Sequence, residues 1–137
     1  MDFLSTFRVC SSGLSAQRAK MDVIVSNLAN VNTTRTPEGG AYRRKVAVFA
    51  SEPAGDSFEE TLRMVKVDRI VEDKNSVKLV FDPDHPDANE KGVVAMPDIN
   101  TVSEMADMIV ANRAYEACVT AFDSTKNMVM KALELGK

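Results

Sequence analysis

Apolar residues recur with a helical period at both ends of the chain and with a strand period between them. From Phe3, alternate steps of four and three reach Phe7, Cys10, Leu14 and Gln17, then Met21, Ile24, Leu28 and Val31; eight of these nine positions are apolar. A stripe this narrow is the seam of a coiled coil rather than the broad face of a globular helix. Arg8, Ser11, Ser12, Ser15, Arg18 and Asp22 mark the polar side. At about 1.5 Å per residue the segment spans roughly 43 Å.

The same alternation returns near the C-terminus through Met105, Met108, Asn112, Tyr115 and Val119, then Phe122, Lys126, Val129 and Leu133; seven of the nine are apolar or aromatic. Thr101 or Ser103 is placed to start this helix, with Glu104 completing a capping box from Thr101. Gly136 is placed to stop it. Gln17, Asn112 and Lys126 are polar intrusions on the seams, which cost stability and fix register. Lys126 has a stem long enough to snorkel.

Between the stripes, Tyr42–Ser51, Arg63–Val71, Val77–Phe81 and Gly92–Met96 read as strands, with Val65, Val67 and Ile70 or Val71 turned inward. The polar run from Ala50 to Thr61 reads as a loop and residues 72–76 as a turn. All five prolines lie between Pro37 and Pro97, and Gly39-Gly40 marks a turn. The predicted fold is α+β: long N- and C-terminal helices forming an antiparallel coiled-coil pair, with a small β-rich domain inserted between them. The expected division is 1–34, 35–97 and 98–137.

Burying one Leu, Met or Phe is worth about 1.5–3 kcal/mol, so neither stripe is left in water. A closed helical core is the plainer reading of either stripe alone. The middle zone is too small to cover both helices, and a two-helix hairpin still exposes apolar surface. Neighbouring copies or partners are therefore expected to cover the rest.

Composition narrows the function. With 137 residues, the chain has room for one domain, and 45% hydrophobic against 27% charged residues is a globular balance. Residues 1–36 carry a net +2 and residues 98–137 a net −2, which favours their lying together. The overall charge of −3 offers no basic footprint for nucleic acid. No run of about 18 apolar residues exists for a membrane span. The first residues lack the basic region and apolar core of a cleaved secretory signal.

Candidate chemistry is sparse. Cys10 and Cys118 have no ligand-spaced partner and read as small buried hydrophobes, pairing only if the chain ends meet. The single histidine, His85, sits among Asp82, Asp84 and Asp87 between two prolines. The run resembles a turn more than a cation site, which needs more ligands. One histidine without a nucleophile gives no catalytic pair. Arg43-Arg44-Lys45 reads as an exposed strand end or an intermolecular salt-bridge site. No catalytic, metal or cofactor-binding residue is expected.

Ser26-Asn27-Leu28-Ala29-Asn30-Val31-Asn32-Thr33 closes the first helix and resembles the signature of the bacterial flagellar axial proteins of rod, hook and hook-associated type. Asn112-Arg113-Ala114-Tyr115-Glu116-Ala117 resembles that family's C-terminal signature. Residues 34–45, the 82–88 loop, Gly92-Val93-Val94 and Pro97-Asp98-Ile99-Asn100 are similar to the proximal rod members. The resemblance implies a non-enzymatic subunit of the basal-body rod, the drive shaft that crosses the periplasm. Its terminal helices would coil into an inner helical tube that transmits torque, with the β-rich insert outward.

Implied partners are other copies, other rod subunits and the flagellar type III export apparatus, with export lacking a cleaved signal; no nucleic acid or direct membrane insertion is implied. The expected assembly interface is Phe3, Phe7, Leu14, Met21, Ile24 and Leu28 on the first helix. On the second it is Met105, Met108, Tyr115, Val119, Phe122, Val129 and Leu133. Asn27, Asn30 and Asn32 suit the helix exit, positioning the connector to the strands or simply capping the helix. The competing reading is a soluble helical-hairpin adaptor or export chaperone.

Overall fold

The N-terminal stripe folds as helix α1 (Phe3–Ala29), followed by β1 (Lys45–Pro53), β2 (Arg63–Glu72), β3 (Val77–Phe81), β4 (Val93–Pro97) and helix α2 (Thr101–Leu135). The computed structural model describes residues 3–53 and 62–136, with side chains from Ser5 onward. The Phe3 side chain lies outside the described residues. So does most of the expected loop, because β1 continues to Pro53 and only 54–61 fall beyond the description.

The fold is α+β, with the terminal helices packed on each other and small antiparallel sheets between them. Their direction follows from three facing pairs. Phe7 and Phe122 stack edge-on with centroids 4.7 Å apart, Gly13 faces Cys118, and Asn27 meets Glu104. Numbers rise on one helix as they fall on the other, so the pair is antiparallel.

The middle region forms two two-stranded ribbons rather than one sheet. In β1–β2 the register runs from Lys45↔Glu72 to Pro53↔Arg63, with a bulge that leaves Asp68 unpaired. Pro53 is tolerated because the ribbon has free edges. A two-stranded ribbon is marginal alone. This one lies along α1, where the Val65 N–H donates to Ser12 Oγ at 3.2 Å. Of the residues expected to face inward, Val67 is half-buried and Val65, Ile70 and Val71 are exposed. The expected alternation fails because α1 covers only part of a twisted ribbon.

The β3–β4 ribbon pairs Val77↔Pro97 through Phe81↔Val93. Its return requires Gly92 at φ 70°, where an added Cβ would sit 3.0 Å from Phe81 Cε2. Ser76 ties the ribbons together: it accepts from the Arg44 N–H through Oγ at 2.8 Å and from the Asp98 N–H through its carbonyl at 2.6 Å.

The start of α2 differs from expectation. Its cap is Asn100, whose Oδ1 accepts from the Val102 and Ser103 N–H groups at 3.0 and 3.2 Å. Neither Thr101 nor Ser103 caps, and Glu104 closes no capping box because its carboxylate is turned toward α1. Gly136 does end the helix.

Candidate functional site

The α1 seam emerges as the period predicts. Phe7, Leu14, Met21 and Leu28 are half-buried, as are Cys10 and Gln17, and Ile24 is buried. Val31 lies past the helix end, also half-buried. Ala16 and Val23 are buried off the seam, because α1 packs on β1 and β2 as well as on α2.

On α2 the seam is displaced by one residue at every second position. The sheltered series is Glu104, Met108, Ala111, Tyr115, Cys118, Phe122, Thr125 and Val129. Met108, Tyr115, Phe122 and Val129 therefore face inward as expected. Met105, Val119 and Leu133 are exposed, and so are Asn112 and Lys126. Small side chains explain the displacement. Ala111, Cys118 and Thr125 allow close approach to α1, where Gly13 leaves no room for more: a Cβ there would lie 3.2 Å from Cys118 Sγ. Both cysteines are free.

At the upper end, a polar joint connects the helices to the strands. Glu104, only 2% exposed, accepts from Asn27 Nδ2 at 3.0 Å and from Arg44 Nε at 2.7 Å. The Arg44 Nη2 lies 2.6 Å from the same carboxylate. A buried carboxylate needs such pairing to be tolerated. Asn27 is fully used: Nδ2 also donates to the Lys45 carbonyl at 2.9 Å, and Oδ1 accepts from Tyr42 Oη at 3.1 Å and the Lys45 N–H at 2.9 Å. Ser26 Oγ bonds the Tyr42 hydroxyl at 3.1 Å, and the Lys45 ammonium sits 5.8 Å from the Tyr42 ring centre.

The N-terminal motif residues thus divide. Asn27 is an interior bracket rather than a helix exit. Asn30 closes the helix end, donating to the Ser26 carbonyl and accepting from Thr33 Oγ1. Asn32 is exposed. In the C-terminal motif, Asn112 and Arg113 bond Glu116 on the surface at 3.1 and 3.0 Å, and Tyr115 faces inward.

The basic triplet separates too. Arg44 belongs to the joint, Lys45 approaches Glu72 at 4.0 Å, and Arg43 is exposed. Around His85, Nδ1 accepts from the Asp87 N–H at 3.1 Å and Asp87 accepts from Thr34 Oγ1 at 2.7 Å. These bonds build a turn that pins the loop to the residues after α1. No group of three His, Cys, Asp or Glu is placed to hold a metal ion among the described residues.

Large apolar side chains are left outside. Leu79 and Phe81 on one face of β3 are 75% and 73% exposed, and Met105, Ile109, Met130 and Leu133 on α2 exceed half. An apolar surface of this extent on one small chain marks a protein-interaction surface.

Comparison with known proteins identifies the setting. The family model described as "Flagella basal body rod protein" matches residues 7–35, and "Flagellar basal body rod FlgEFG protein C-terminal" matches 90–135. The flagellar basal-body rod protein FlgC of Bacillus subtilis (strain 168) is 42% identical over the full length of both chains. The chain belongs to the FlgC family. The FlgC proteins of Borreliella burgdorferi and Yersinia enterocolitica are 44% and 38% identical, over 98% and 100% of both chains. It is a structural, non-enzymatic subunit of the flagellar basal-body rod, and assembly with rod subunits follows from that membership. Among the described residues, no helix is long and apolar enough to cross a membrane.

Two features of this joint are not legible in the local sequence. Glu104 looked like a capping residue, and nothing local in the sequence separates a capping glutamate from a buried one. Arg44 looked like one of three equivalent surface bases. Their sign complementarity was visible, but their pairing depends on a tertiary contact across 60 residues.

Proposed function

We propose that this chain assembles through its terminal helices, with other copies of itself and other rod subunits, into a helical tube that crosses the periplasm and transmits torque. On this reading the flagellar type III apparatus exports it without a cleaved signal. The observation that carries the proposal is the exposed apolar surface of α2, in a chain whose relatives are rod proteins. A monomer leaves Met105, Val119 and Leu133 in water at a cost that association removes.

The assembly residues fall into two groups. Phe7, Leu14, Met21, Ile24, Leu28, Met108, Tyr115, Phe122 and Val129 hold the helix pair together and act through its shape. Met105, Val119 and Leu133 are open to a neighbour. The joint of Asn27, Tyr42, Arg44 and Glu104 fixes the β ribbons to the helices, so that load on one is passed to the other.

Met105→Asp tests this. The side chain is 54% exposed, so the free chain should lose no more than about 0.5 kcal/mol. Incorporation into isolated basal bodies, measured by immunoblot, and swimming should both be lost. A motile strain with normal incorporation defeats the proposal.

A further inference from the structure

Pairing of Cys10 with Cys118 requires the chain ends to meet, and the antiparallel helix pair makes them meet. Phe7 stacks on Phe122, and an added Cβ at Gly13 would lie 3.2 Å from Cys118 Sγ. Cys10 stands one turn after Phe7 and one turn before Gly13, on the α1 seam. The turn of α2 across from it therefore runs from Cys118 to Phe122, and these two are its sheltered residues. Both cysteines are half-buried and free. They occupy one layer of the helix pair.

The layer suits a covalent link. A disulfide needs Cα atoms about 4.4–6.8 Å apart, nearer than large seam residues allow. Here the glycine at position 13 lets the backbones approach closely. The layer also lies away from the polar joint, in which Asn27 and Arg44 hold Glu104 where the strands begin. An open groove lined by Phe7, Ser11, Ser15 and Phe122 runs beside it and admits a small oxidant.

We propose that Cys10 and Cys118 form an intramolecular disulfide that clasps the two helices once the chain reaches an oxidising compartment. The compartment rests on the rod-subunit reading, because the periplasm oxidises thiols and the cytoplasm keeps them reduced. The form with free thiols precedes export. The chemistry is exchange with a disulfide oxidant. One cysteine thiolate attacks the oxidant, forming a mixed disulfide and releasing the first oxidant thiol; the other cysteine thiolate then displaces the second. Two protein thiols become one S–S bond, and the oxidant takes up the two electrons and two protons and leaves as two thiols. The link closes a loop of roughly 100 residues in the unfolded chain, so it favours the folded one.

The test equilibrates the purified full chain with reduced and oxidised glutathione and quenches by alkylation. Mass spectrometry should find Cys10 joined to Cys118 within a monomer. The equilibrium should lie about a hundredfold or more further toward the link in buffer than in denaturing urea, because the fold holds the thiols together. Oxidation should raise the thermal midpoint by about 10 °C, an effect reversed by dithiothreitol and absent from Cys10→Ala and Cys118→Ala. Glutathione adducts or intermolecular dimers in place of the link, or a linked chain no more stable than the reduced one, overturn the inference. In basal bodies from cells alkylated before lysis, a linked subunit supports it. A subunit there with both thiols free overturns it and leaves the rod-subunit reading intact. Absence of the subunit from basal bodies overturns that reading, while the glutathione equilibrium still decides the link.

Discussion

Asn27 Nδ2 donates to Glu104 Oε2 at 3.0 Å across 77 residues of sequence, and the two side chains are among the most completely buried in the molecule. This bond ties the two helices together at the end where the strands begin. Because Asn27 also holds the Lys45 backbone and the Tyr42 hydroxyl, removing it takes a bond from four groups at once, of which Glu104 keeps Arg44 and Tyr42 keeps Ser26.

Asn27→Ala is therefore expected to destabilise the free chain by about 1–3 kcal/mol, the cost of leaving buried polar groups unpaired. Urea unfolding followed by circular dichroism measures it. Glu104→Ala should cost a similar amount, with a coupling of about 0.5–3 kcal/mol between the two in a double-mutant cycle. Strict additivity would show that the joint is not a network.

The approach of the helices at Gly13 gives a second expectation. Alanine in a helix interior gains roughly 0.5–1 kcal/mol over glycine, but here the new methyl meets Cys118 Sγ at 3.2 Å. Gly13→Ala should stabilise more in a Cys118→Ala background than in the parent. Gly13→Leu should lose about 1–3 kcal/mol through overpacking. Thermal unfolding of the parent, the two alanine variants, their combination and Gly13→Leu decides it, and a large side chain accepted without loss contradicts the close approach.

Gln17 Oε1 is buried without a hydrogen-bond partner among the described residues. Such an acceptor costs about 1–3 kcal/mol, so Gln17→Met, of similar shape, should raise the unfolding midpoint of the free chain. A lower midpoint would show that the amide is satisfied.

Leu79 and Phe81 project from β3 into solvent. Replacing both with serine should alter stability by no more than about 0.5 kcal/mol each, as for other surface sites. Basal-body incorporation should fall if this ribbon contacts a neighbour. Unfolding curves and immunoblots of basal bodies separate the two effects, and unchanged incorporation frees this face from any role in assembly.

The helices were legible because their burial is periodic: Phe7 through Leu28 follow one rule that needs no partner to be recognised. Val77–Phe81 was legible as a strand to the residue, from its alternation alone. The α2 seam was legible only in part. Met108, Tyr115, Phe122 and Val129 announce themselves by size, but Ala111, Cys118 and Thr125 are inside because they are small. Scoring by hydrophobicity therefore favours Met105 and Val119, which the structure leaves outside.

The elements and their order follow from local periodicity, and apolar residues too numerous for one small core already point to shelter from a neighbour. Which side of α2 meets α1, the split of the strands into two ribbons, and the role of Glu104 as a buried tie rather than a cap emerge in the folded chain alone. Those outcomes depend on how closely two backbones approach and on which charges meet in the interior, quantities set by contacts between residues far apart in the chain.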